Sequence, residues 1–404
     1  MPNKDRNIPK RRFKAFENAD AWELRKLGEL GTVAMCRRIF KEQTSEIGEI
    51  PFYKIGTFGG TPDAFISKEL FEEYRNKYSY PTKGDILISA SGSIGRTVEF
   101  LGKDEYFQDS NIVWLKHDGK IDNIFLKQFY SIVKWSGVEG STIKRLYNEN
   151  ILNTEIVLPT LPEQKAIGTF FSALDQQITL HQRKLDKLKH VKQAYLSEMF
   201  PAEGERVPKR RFPGFTDDWE LRKLGECSSL ITKGTTPRDK SGVGDVNFVK
   251  VENLVNGEIL PLQKIQLEEH EGYLKRSQLV ENDILFSIAG TLGRTAVVKK
   301  SILPANTNQA LSIIRGYEFN KNFLVTILRG NVIKEFIKKN PTIGAQPNLS
   351  LEQVSNLCFS APCTEEQSAI GTFFSALDQQ ITLHQRKLEK LKNLKKALLN
   401  ELFV

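Results

Sequence analysis

The residues best suited to chemistry in this 404-residue chain are basic, amide and hydroxyl side chains gathered in two stretches, residues 31–81 and 228–280. The first stretch carries Arg37, Arg38, Lys41, Gln43, Thr44 and Lys54, and the second carries Lys233, Thr235, Thr236, Arg238, Lys240, Lys250 and Asn253. Arginine and lysine can bind guanine edges, asparagine and glutamine adenine edges, and threonine a thymine methyl group. Both stretches are therefore candidates for base recognition, although an ordinary variable surface loop is the favoured interpretation for any single residue.

These stretches lie within a duplicated chain. The sequence AIGTFFSALDQQITLHQRKL occupies residues 166–185 and recurs letter for letter at 369–388. PKRRF followed by WELRKLGE opens each half, from Pro9 and from Pro208. Between these shared segments the halves diverge, and only PFYKI at 51–55 and NFVKV at 247–251 look like equivalent strands. Divergence inside a repeated chain is where two different specificities would lie.

Similarity returns at DILISASGSIGRT, residues 85–97, and DILFSIAGTLGRT, residues 283–295. The pattern predicts a hairpin through a G-x-x-G-R turn, because no Lys-Ser/Thr follows and no helix opens as in a phosphate-binding loop. Arg96 and Arg294 are candidates for contacts to phosphate. Helices are predicted at about 124–135 and 323–339. The loops after them could also face a DNA groove, and they carry Lys144 and Arg145 in the first half and Gln346 and Asn348 in the second.

The repeated stretches belong to two long predicted helices, residues 163–200 and 366–403. Apolar residues at steps of three and four form a heptad seam. The proposed scaffold residues are Phe171, Leu174, Ile178, His181, Leu185 and Leu188 in the first helix and Phe374, Leu377, Ile381, His384, Leu388 and Leu391 in the second. A helix this long, about 57 Å, needs a partner along its seam. Its own duplicate, paired antiparallel about a pseudo-twofold axis, is the simplest one.

His181 and His384 are the polar gaps in the seam and lie near the helix midpoints, so an antiparallel pair should bring them together. They would act as a register lock or pH-sensitive joint, or they are tolerated core residues, which is the favoured interpretation.

Four local predictions concern the segments around the helices. Capping boxes are expected at residues 160–163 and 364–367. Gly168 and Gly371 are expected to pack closely against the adjoining block. The tryptophan and both leucines of each WELRKLGE motif should lie on one side, with the tryptophan in the core. The arginine pairs at 11–12 and 210–211 could touch phosphate or be exposed solubilising charge.

Composition limits the alternatives. The formal net charge is +9, which favours a polyanionic partner, and 40% hydrophobic residues suffice for two cores. The four cysteines lack zinc-site spacing and are interpreted as reduced structural thiols. The N-terminal sequence lacks a secretory signal pattern, and no run of eighteen apolar residues predicts a membrane span.

The duplicated helix starts, the paired WELRKLGE motifs and the G-x-x-G-R turns together resemble the specificity subunit of type I restriction–modification systems, across nearly the whole chain. The resemblance implies an α+β fold in which two mixed α/β target-recognition domains are separated by an antiparallel coiled coil. The corresponding boundaries are 1–160 and 204–362 for the recognition domains and 161–203 and 363–404 for the central and C-terminal helices.

The family further implies a non-catalytic chain that reads an asymmetric, bipartite site in double-stranded DNA, one half per domain. Its implied partners are two methylation subunits, which use S-adenosylmethionine to methylate adenine, and two restriction subunits, which use ATP and Mg²⁺. No cofactor or metal is implied on this chain. The helix faces bearing Leu180 and Leu383 are expected to capture the methylation subunits, in the bacterial cytoplasm at the nucleoid.

Two alternatives remain. One is a free-standing two-domain DNA-binding regulator with a coiled-coil spacer. The other is a nuclease or methyltransferase with unrecognised motifs, which the sequence disfavours because it lacks an NPPY-like tetrapeptide, a Walker lysine loop and a metal-ligand cluster. Methylation or cleavage by the purified chain alone would exclude the family interpretation.

Overall fold

The computed structural model describes residues 7–137, 144–202, 204–339 and 347–403. The chain divides into two compact units, Met1–Leu180 with Leu388–Val404, and His181–Lys387. Each of the two long helices therefore contributes one segment to each unit.

The first unit is a mixed α/β fold. Its strands are β1 Glu23–Lys26, β2 Gly31–Met35, β3 Ile50–Tyr53, β4 Phe65–Ile66, β5 Ile86–Ser89, β6 Thr97–Glu99, β7 Tyr106–Phe107, β8 Ile112–His117 and β9 Glu155–Leu158. Its helices are α1 Leu27–Leu30, α2 Lys68–Lys77, α3 Asn123–Ile132, α4 Asn148–Leu152 and the first part of α5 Leu161–Glu198, with 3-10 turns at Lys14–Phe16 and Lys41–Gln43. The sheets have the orders β2-β8-β5-β6, β4-β3-β7 and β1-β9.

The four-stranded sheet of the first unit separates two cores. Alternate side chains of a strand point to opposite faces, and β5 buries both. Ile86 and Ile88 pack into a core shared with α3 and the long helices, whereas Leu87 packs into a second core. That second core contains β3, β7 and α2 and lies beneath the divergent stretch. The candidate base-reading residues therefore rest on a packed support of their own.

The second unit repeats this plan. Its strands are β10 Glu220–Lys223, β11 Ser228–Lys233, β12 Val246–Val249, β13 Leu254–Val255, β14 Glu258–Ile259, β15 Gln263–Ile265, β16 Ile284–Ser287, β17 Thr295–Val297, β18 Ala305–Thr307, β19 Leu311–Tyr317 and β20 Cys358–Ala361. Its helices are α6 Leu267–Glu271, α7 Lys321–Arg329, α8 Asn331–Lys339, α9 Leu351–Ser355 and the first part of α10 Thr364–Leu402, with 3-10 turns at Val251–Asn253, Lys275–Ser277 and Lys300–Ile302.

Sheet topology shows that the divergent stretches share a fold. The order β11-β19-β16-β17 matches β2-β8-β5-β6 of the first unit. Strand β12 pairs antiparallel with β15 and parallel with β18, just as β3 pairs with β4 and β7. The predicted equivalence of residues 51–55 and 247–251 is therefore confirmed in β3 and β12.

The long helices pair antiparallel within each unit. In the first unit, Phe171 of α5 packs on Phe403 with ring centroids 6.3 Å apart, and Lys395 Nζ lies 2.6 Å from Asp175 Oδ1. In the second unit, Phe200 packs on Phe374 at 5.9 Å, and Lys192 Nζ lies 2.5 Å from Asp378 Oδ1. Later residues of one helix thus face earlier residues of the other, and the repeated sequence makes equivalent contacts twice.

Two local packing predictions are confirmed. Trp22 and Trp219 are buried in the two helix-facing cores. A β-carbon added at Gly168 would lie 2.9 Å from Phe125 N, and one added at Gly371 would lie 2.7 Å from Phe323 N. The two glycines allow the long helices to approach the first turns of α3 and α7.

The predicted helix at 323–339 is wrong in its continuity, because α7 ends at Arg329 and α8 begins at Asn331. Gly330 between them has φ −86° and ψ −170°, which is extended backbone.

The predicted one-sided packing of the WELRKLGE leucines is also wrong. Leu27 and Leu224 are fully buried, but Leu24 and Leu221 are 53% and 69% exposed. They lie on short two-stranded ribbons, β1-β9 and β10-β20, whose outer face remains open.

The predicted capping boxes at residues 160–163 and 364–367 are also wrong. Thr364 is already the first residue of α10 and is therefore not a cap. In α5, the Glu163 carboxylate accepts hydrogen bonds from the Arg12 guanidinium, Nε and Nη2 each at 2.7 Å, instead of closing a box. Arg211 binds Glu366 in the same bidentate way, at 2.9 and 2.6 Å.

Neither predicted role fits the second arginine of each pair. The Arg12 and Glu163 side chains are 7% and 0% exposed, so Arg12 is neither a surface charge nor a phosphate ligand. Its pKa is raised chiefly by the hydrogen bonds to Glu163. The preceding arginines lie outside, where Arg11 pairs with Glu401 and Arg210 with Glu198.

Candidate nucleic-acid interface

The structure places most of the predicted DNA-binding side chains at the surface. Those that are exposed are Arg37, Arg38, Lys41, Arg96, Lys144, Lys233, Thr236, Arg238, Lys240, Arg294 and Asn348. Lys54, Arg145, Thr235 and Lys250 are half-buried, and Gln346 lies outside the described residues. Asn253 departs from the expectation: it is 3% exposed, and its Oδ1 accepts a hydrogen bond from Lys250 N. It closes a 3-10 turn and does not present an amide to a ligand.

In the first unit, arginines that follow β2 stack on aromatic rings. The Arg37 guanidinium carbon lies 5.2 Å from the Tyr78 ring centroid, and that of Arg38 lies 5.5 Å from Phe40. Tyr106 donates a hydrogen bond to the Arg37 carbonyl at 3.1 Å, which holds the backbone there. A guanidinium stacked on a ring keeps its planar edge available for two hydrogen bonds. This geometry suits contacts to guanine or phosphate.

Other candidates in the first stretch are engaged locally. Gln43 Oε1 accepts from Phe40 N, and Thr44 Oγ1 donates to the Lys41 carbonyl, so both stabilise the 3-10 turn. Lys54 Nζ forms a 2.9 Å ion pair with Asp63. Lys41 itself projects from this turn into solvent.

The G-x-x-G-R segments form the predicted hairpin turns, with φ between 64° and 82° at Gly92, Gly95, Gly290 and Gly293. Each turn is tied to a buried serine that sequence reasoning missed. Ser89 Oγ accepts from Arg96 N at 2.9 Å, and Ser287 Oγ accepts from Arg294 N at 2.7 Å. The arginine side chains remain exposed, with one nitrogen each bonded to a carbonyl, of Phe58 and Val251 respectively.

The loops before the long helices lie beside these turns. Arg145 forms an isolated β-bridge with Ser91, and Asn348 forms one with Ala289. In each unit the fold therefore joins two separate groups of candidates, the turn arginine and the closing loop, into one surface.

In the second unit, Arg238 is the most strongly positioned candidate. Its guanidinium carbon lies 4.3 Å from the Tyr273 ring centroid. Glu269 Oε1 accepts hydrogen bonds from the backbone N–H groups of Arg238 and Asp239, at 2.7 and 3.3 Å. The ring fixes the side chain and the carboxylate fixes the backbone, so little conformational entropy would be lost if this arginine bound a ligand.

A cleft of about 330 Å³ adjoins Arg238 along the chain. Its lining combines predicted residues with polar neighbours that were not predicted: Thr236, Lys240, Lys250, Gln263, Lys264 and Asn308. Phe248, almost fully buried, also lines it. Three lysines against Asp239 make the cleft basic, as a nucleic-acid contact requires. Gln263 and Lys264 were missed because they lie on β15, which only the fold brings next to β12.

The predicted approach of the midpoint histidines is confirmed within the second unit, where His181 Nδ1 lies 2.9 Å from His384 Nδ1. One ring must donate and the other accept, so the contact requires at least one neutral imidazole. Burial, followed by the charges of His181, Lys184 and Lys387, lowers the pKa of His384.

The other proposed scaffold residues are buried or half-buried. The buried ones are Phe171, Leu185, Phe374 and Leu388, and the half-buried ones are Leu174, Ile178, Leu188, Leu377, Ile381 and Leu391.

Potential metal ligands are dispersed in the described part of the chain. Within residues 7–137, 144–202, 204–339 and 347–403, no three His, Cys, Asp or Glu side chains are grouped so that they could hold a metal ion. No described helix is both long and apolar enough to cross a membrane.

Comparison with known proteins identifies the architecture. The family model for the type I restriction modification DNA specificity domain matches residues 19–190 and 216–393. A Haemophilus influenzae protein, whose name gives a provisional assignment as a type I restriction enzyme specificity subunit, is 58% identical over 157 residues. That match spans 38% of this chain and only 41% of the relative.

Longer matches cover both halves. A type I restriction enzyme specificity subunit of Methanocaldococcus jannaschii is 25% identical over 355 residues, covering 84% of this chain and 82% of the relative. The crystal structure of a type I restriction–modification S subunit from M. genitalium superposes with a TM-score of 0.66 at 17% identity. It covers 98% of this chain and 99% of that one, which shows a shared fold.

Proposed function

Because the chain belongs to the family of type I restriction–modification DNA specificity domains, we propose that it reads an asymmetric, bipartite site in double-stranded DNA. The main observation that supports this proposal is that the two units share a topology but present different exposed side chains on it. Stacked Arg37 and Arg38 occupy the first, whereas Arg238 and a lysine-lined cleft occupy the second. Two units with the same fold but different exposed side chains are suited to reading two half-sites of different sequence.

In this proposal the chain recognises DNA and leaves the chemistry to its partners. Two methylation subunits bind S-adenosylmethionine and methylate adenine, which they must extrude from the base stack. Restriction subunits supply ATP- and Mg²⁺-dependent translocation and cleavage. The chain itself carries no cofactor and acts on the bacterial chromosome in the cytoplasm.

The partner-binding surfaces in this proposal are the two helix faces that bear Leu180 and Leu383. Both leucines are 43% exposed although they lie on helices whose opposite faces are packed. Exposed leucines at equivalent places of an identical sequence suit two copies of one partner.

The experiment that tests the assignment is a block exchange. Residues 31–81 are replaced by the equivalent segment of another specificity subunit, the chain is co-expressed with its methylation subunits, and methylated adenines are mapped across the genome. We expect one half of the methylated sequence to change and the other to persist. A change in both halves contradicts the assignment, and methylation by the purified chain alone contradicts its non-catalytic role.

A second experiment concerns the unread spacer. In this proposal the spacer length depends on the long helices. Four residues inserted near His181, roughly one helical turn, should lengthen the spacer or abolish binding, with both half-sites unchanged. The matched control variant carries the same four residues in the exposed 240–244 loop of the second unit, where only the half-site read by that unit should be affected.

The free-standing regulator makes a different prediction. It would bind its site with full affinity without methylation subunits and would not co-purify with them. Co-purification of the full-length chain with two methylation subunits per chain supports the proposed assembly.

A further inference from the structure

The second unit contains a cavity of about 560 Å³ that is separate from the cleft beside Arg238. It is lined by the β13–β14 turn, the G-x-x-G-R turn, the end of α7 and the two long helices. The charged and amide side chains in its wall are Lys192, Asn256, Arg294, Arg329, Asp378 and Gln385.

The charges in this wall do not balance. Asp378 is its one carboxylate among the described residues, and it meets Lys192 Nζ at 2.5 Å and Arg329 Nη1 at 3.5 Å. Arg294 adds a third cation. Glu258 lies next to the cavity turn, but its carboxylate already pairs with Arg386 at 2.6 Å and Lys299 at 3.8 Å.

Arg329 and Lys192 are both partly buried, with side chains 24% and 20% exposed. The Arg329 Nη2 donates to the Thr295 carbonyl at 2.9 Å. Burial lowers the pKa of Arg329, and Asp378 only partly offsets this effect. A partly buried cation that shares its one carboxylate with a lysine is incompletely compensated. An anion in the cavity would supply the missing charge.

The first unit shows that this excess charge is not needed to build the fold. There the equivalent pair, Lys395 with Asp175 at 2.6 Å, is completed by the neutral amide of Gln128, Nε2 to Oδ2 at 3.2 Å. Helices α3 and α7 correspond, since each begins after a side chain cap, Asp122 and Asn320. In this alignment the position of Arg329 is held by Ser131, so the arginine is specific to the second unit.

We propose that this cavity binds a phosphate group, which is carried either by a small phosphorylated molecule or by the DNA backbone. Arg294 and Arg329 supply guanidinium N–H groups, which pair well with phosphate oxygens. Lys192 supplies a point charge, and Asn256 and Gln385 supply amide donors. The site does not depend on which bases the second unit reads.

The test measures phosphate binding to the full-length chain by isothermal titration calorimetry and thermal unfolding. Inorganic phosphate and pyrophosphate are compared with sodium chloride at equal ionic strength, and a duplex of arbitrary sequence is titrated separately. We expect saturable binding that Arg329→Ser, the residue found in the first unit, weakens at least about tenfold, as loss of a charge-assisted hydrogen bond predicts. Arg276→Ser makes the same charge change outside the cavity wall and should leave binding unchanged.

The outcomes separate the two sources of phosphate. Saturable binding of inorganic phosphate or pyrophosphate that Arg329→Ser weakens identifies a small phosphorylated ligand. No such binding, with duplex affinity reduced by Arg329→Ser but not by Arg276→Ser, identifies the DNA backbone. If neither anion nor duplex distinguishes the two variants, the proposal fails. Should Arg329→Ser not fold, Arg294→Gln, which alters an exposed side chain of the same wall, decides between these outcomes.

Discussion

Arginines in this chain have opposite roles that depend on what lies within reach of each guanidinium. Arg12 and Arg211 are buried against carboxylates at the starts of the long helices. Arg37 and Arg238 are exposed and stacked on tyrosines. Substitution of the first kind should change stability, and substitution of the second should change recognition.

The first prediction is that Arg12→Met destabilises the protein by about 3–5 kcal/mol, because it leaves the fully buried Glu163 carboxylate unpaired. Urea unfolding monitored by circular dichroism measures the change. Arg11→Met is the matched control, since Arg11 is 61% exposed and its pair with Glu401 should contribute less than about 1 kcal/mol. Equal losses in both variants would argue against a structural role specific to Arg12.

A second prediction concerns base specificity. If Arg238 reads guanine, Arg238→Ala should cost about 1–3 kcal/mol in binding and relax one guanine position in a single half-site. Arg238→Lys keeps the charge but loses the planar fork, so it should relax specificity with a smaller loss of affinity. Mapped methylation motifs give the readout. Uniform weakening with an unchanged motif would instead make Arg238 a phosphate contact.

At the residue scale, the sequence alone led to the proposed recognition segments, because the two halves diverge there. It did not reveal Tyr78 or Tyr273, since an aromatic support can lie far along the chain from the arginine it carries. It also misjudged Arg12, whose carboxylate partner is Glu163 on a distant helix. Contacts between distant positions leave no local spacing to recognise.

Among the elements, the long helices were the most predictable. Apolar residues at steps of three and four, repeated in two nearly identical segments, predicted helices at 163–200 and 366–403, and α5 and α10 span Leu161–Glu198 and Thr364–Leu402. The break between α7 and α8 was missed because the apolar pattern continues across Gly330. The division of each unit into cores on both sides of its four-stranded sheet was also missed, since burial on both faces of β5 and β16 depends on which strands become neighbours.

The histidine contact gives a third prediction. The folded chain lowers the pKa of His384 from its ordinary value of 6.5, so the unfolded chain binds more protons there. The stabilisation from neutral His384 is fully present above about pH 6.5 and is lost as pH falls through the lowered folded pKa. Unfolding free energy should therefore decrease as the pH is lowered below about 6.5.

Chemical denaturation at several pH values tests this. His384→Gln should flatten the pH dependence, whereas His190→Gln, an exposed histidine on the same helix pair, should preserve it. Parallel pH curves for His384→Gln and the unaltered chain would show that the contact is not proton-linked.

At the scale of the whole molecule, the two units have equivalent aromatic contacts in their cores, made by Phe200 in the second unit and by Phe403 in the first. Phe200 packs against Trp219, Phe323 and Phe374 in the second unit. Phe403 packs against Trp22, Phe125 and Phe171 in the first. The core of each unit therefore includes a phenylalanine that lies just after the end of a long helix, and the start of that helix belongs to the other unit.

The fourth prediction is that a fragment containing residues 204–404 forms a homodimer in which each copy supplies Phe403 where Phe200 is missing. Light scattering after size exclusion measures the mass, and Phe403→Ala should weaken dimerisation. With methylation subunits, this dimer should modify a palindromic site. A folded, monomeric fragment would contradict the equivalence of Phe200 and Phe403.

The repeated leucines on the helix surface have a consequence for assembly. Leu180 and Leu383 are equally exposed within identical local sequences, so the proposed partner, if it docks there, would meet two equivalent sites that fill separately. Half-loaded complexes would then accumulate when the partner is scarce, and at low occupancy the fully loaded form would rise with the square of free partner concentration. Supply of the partner would thus act as a threshold on how much competent complex a cell holds.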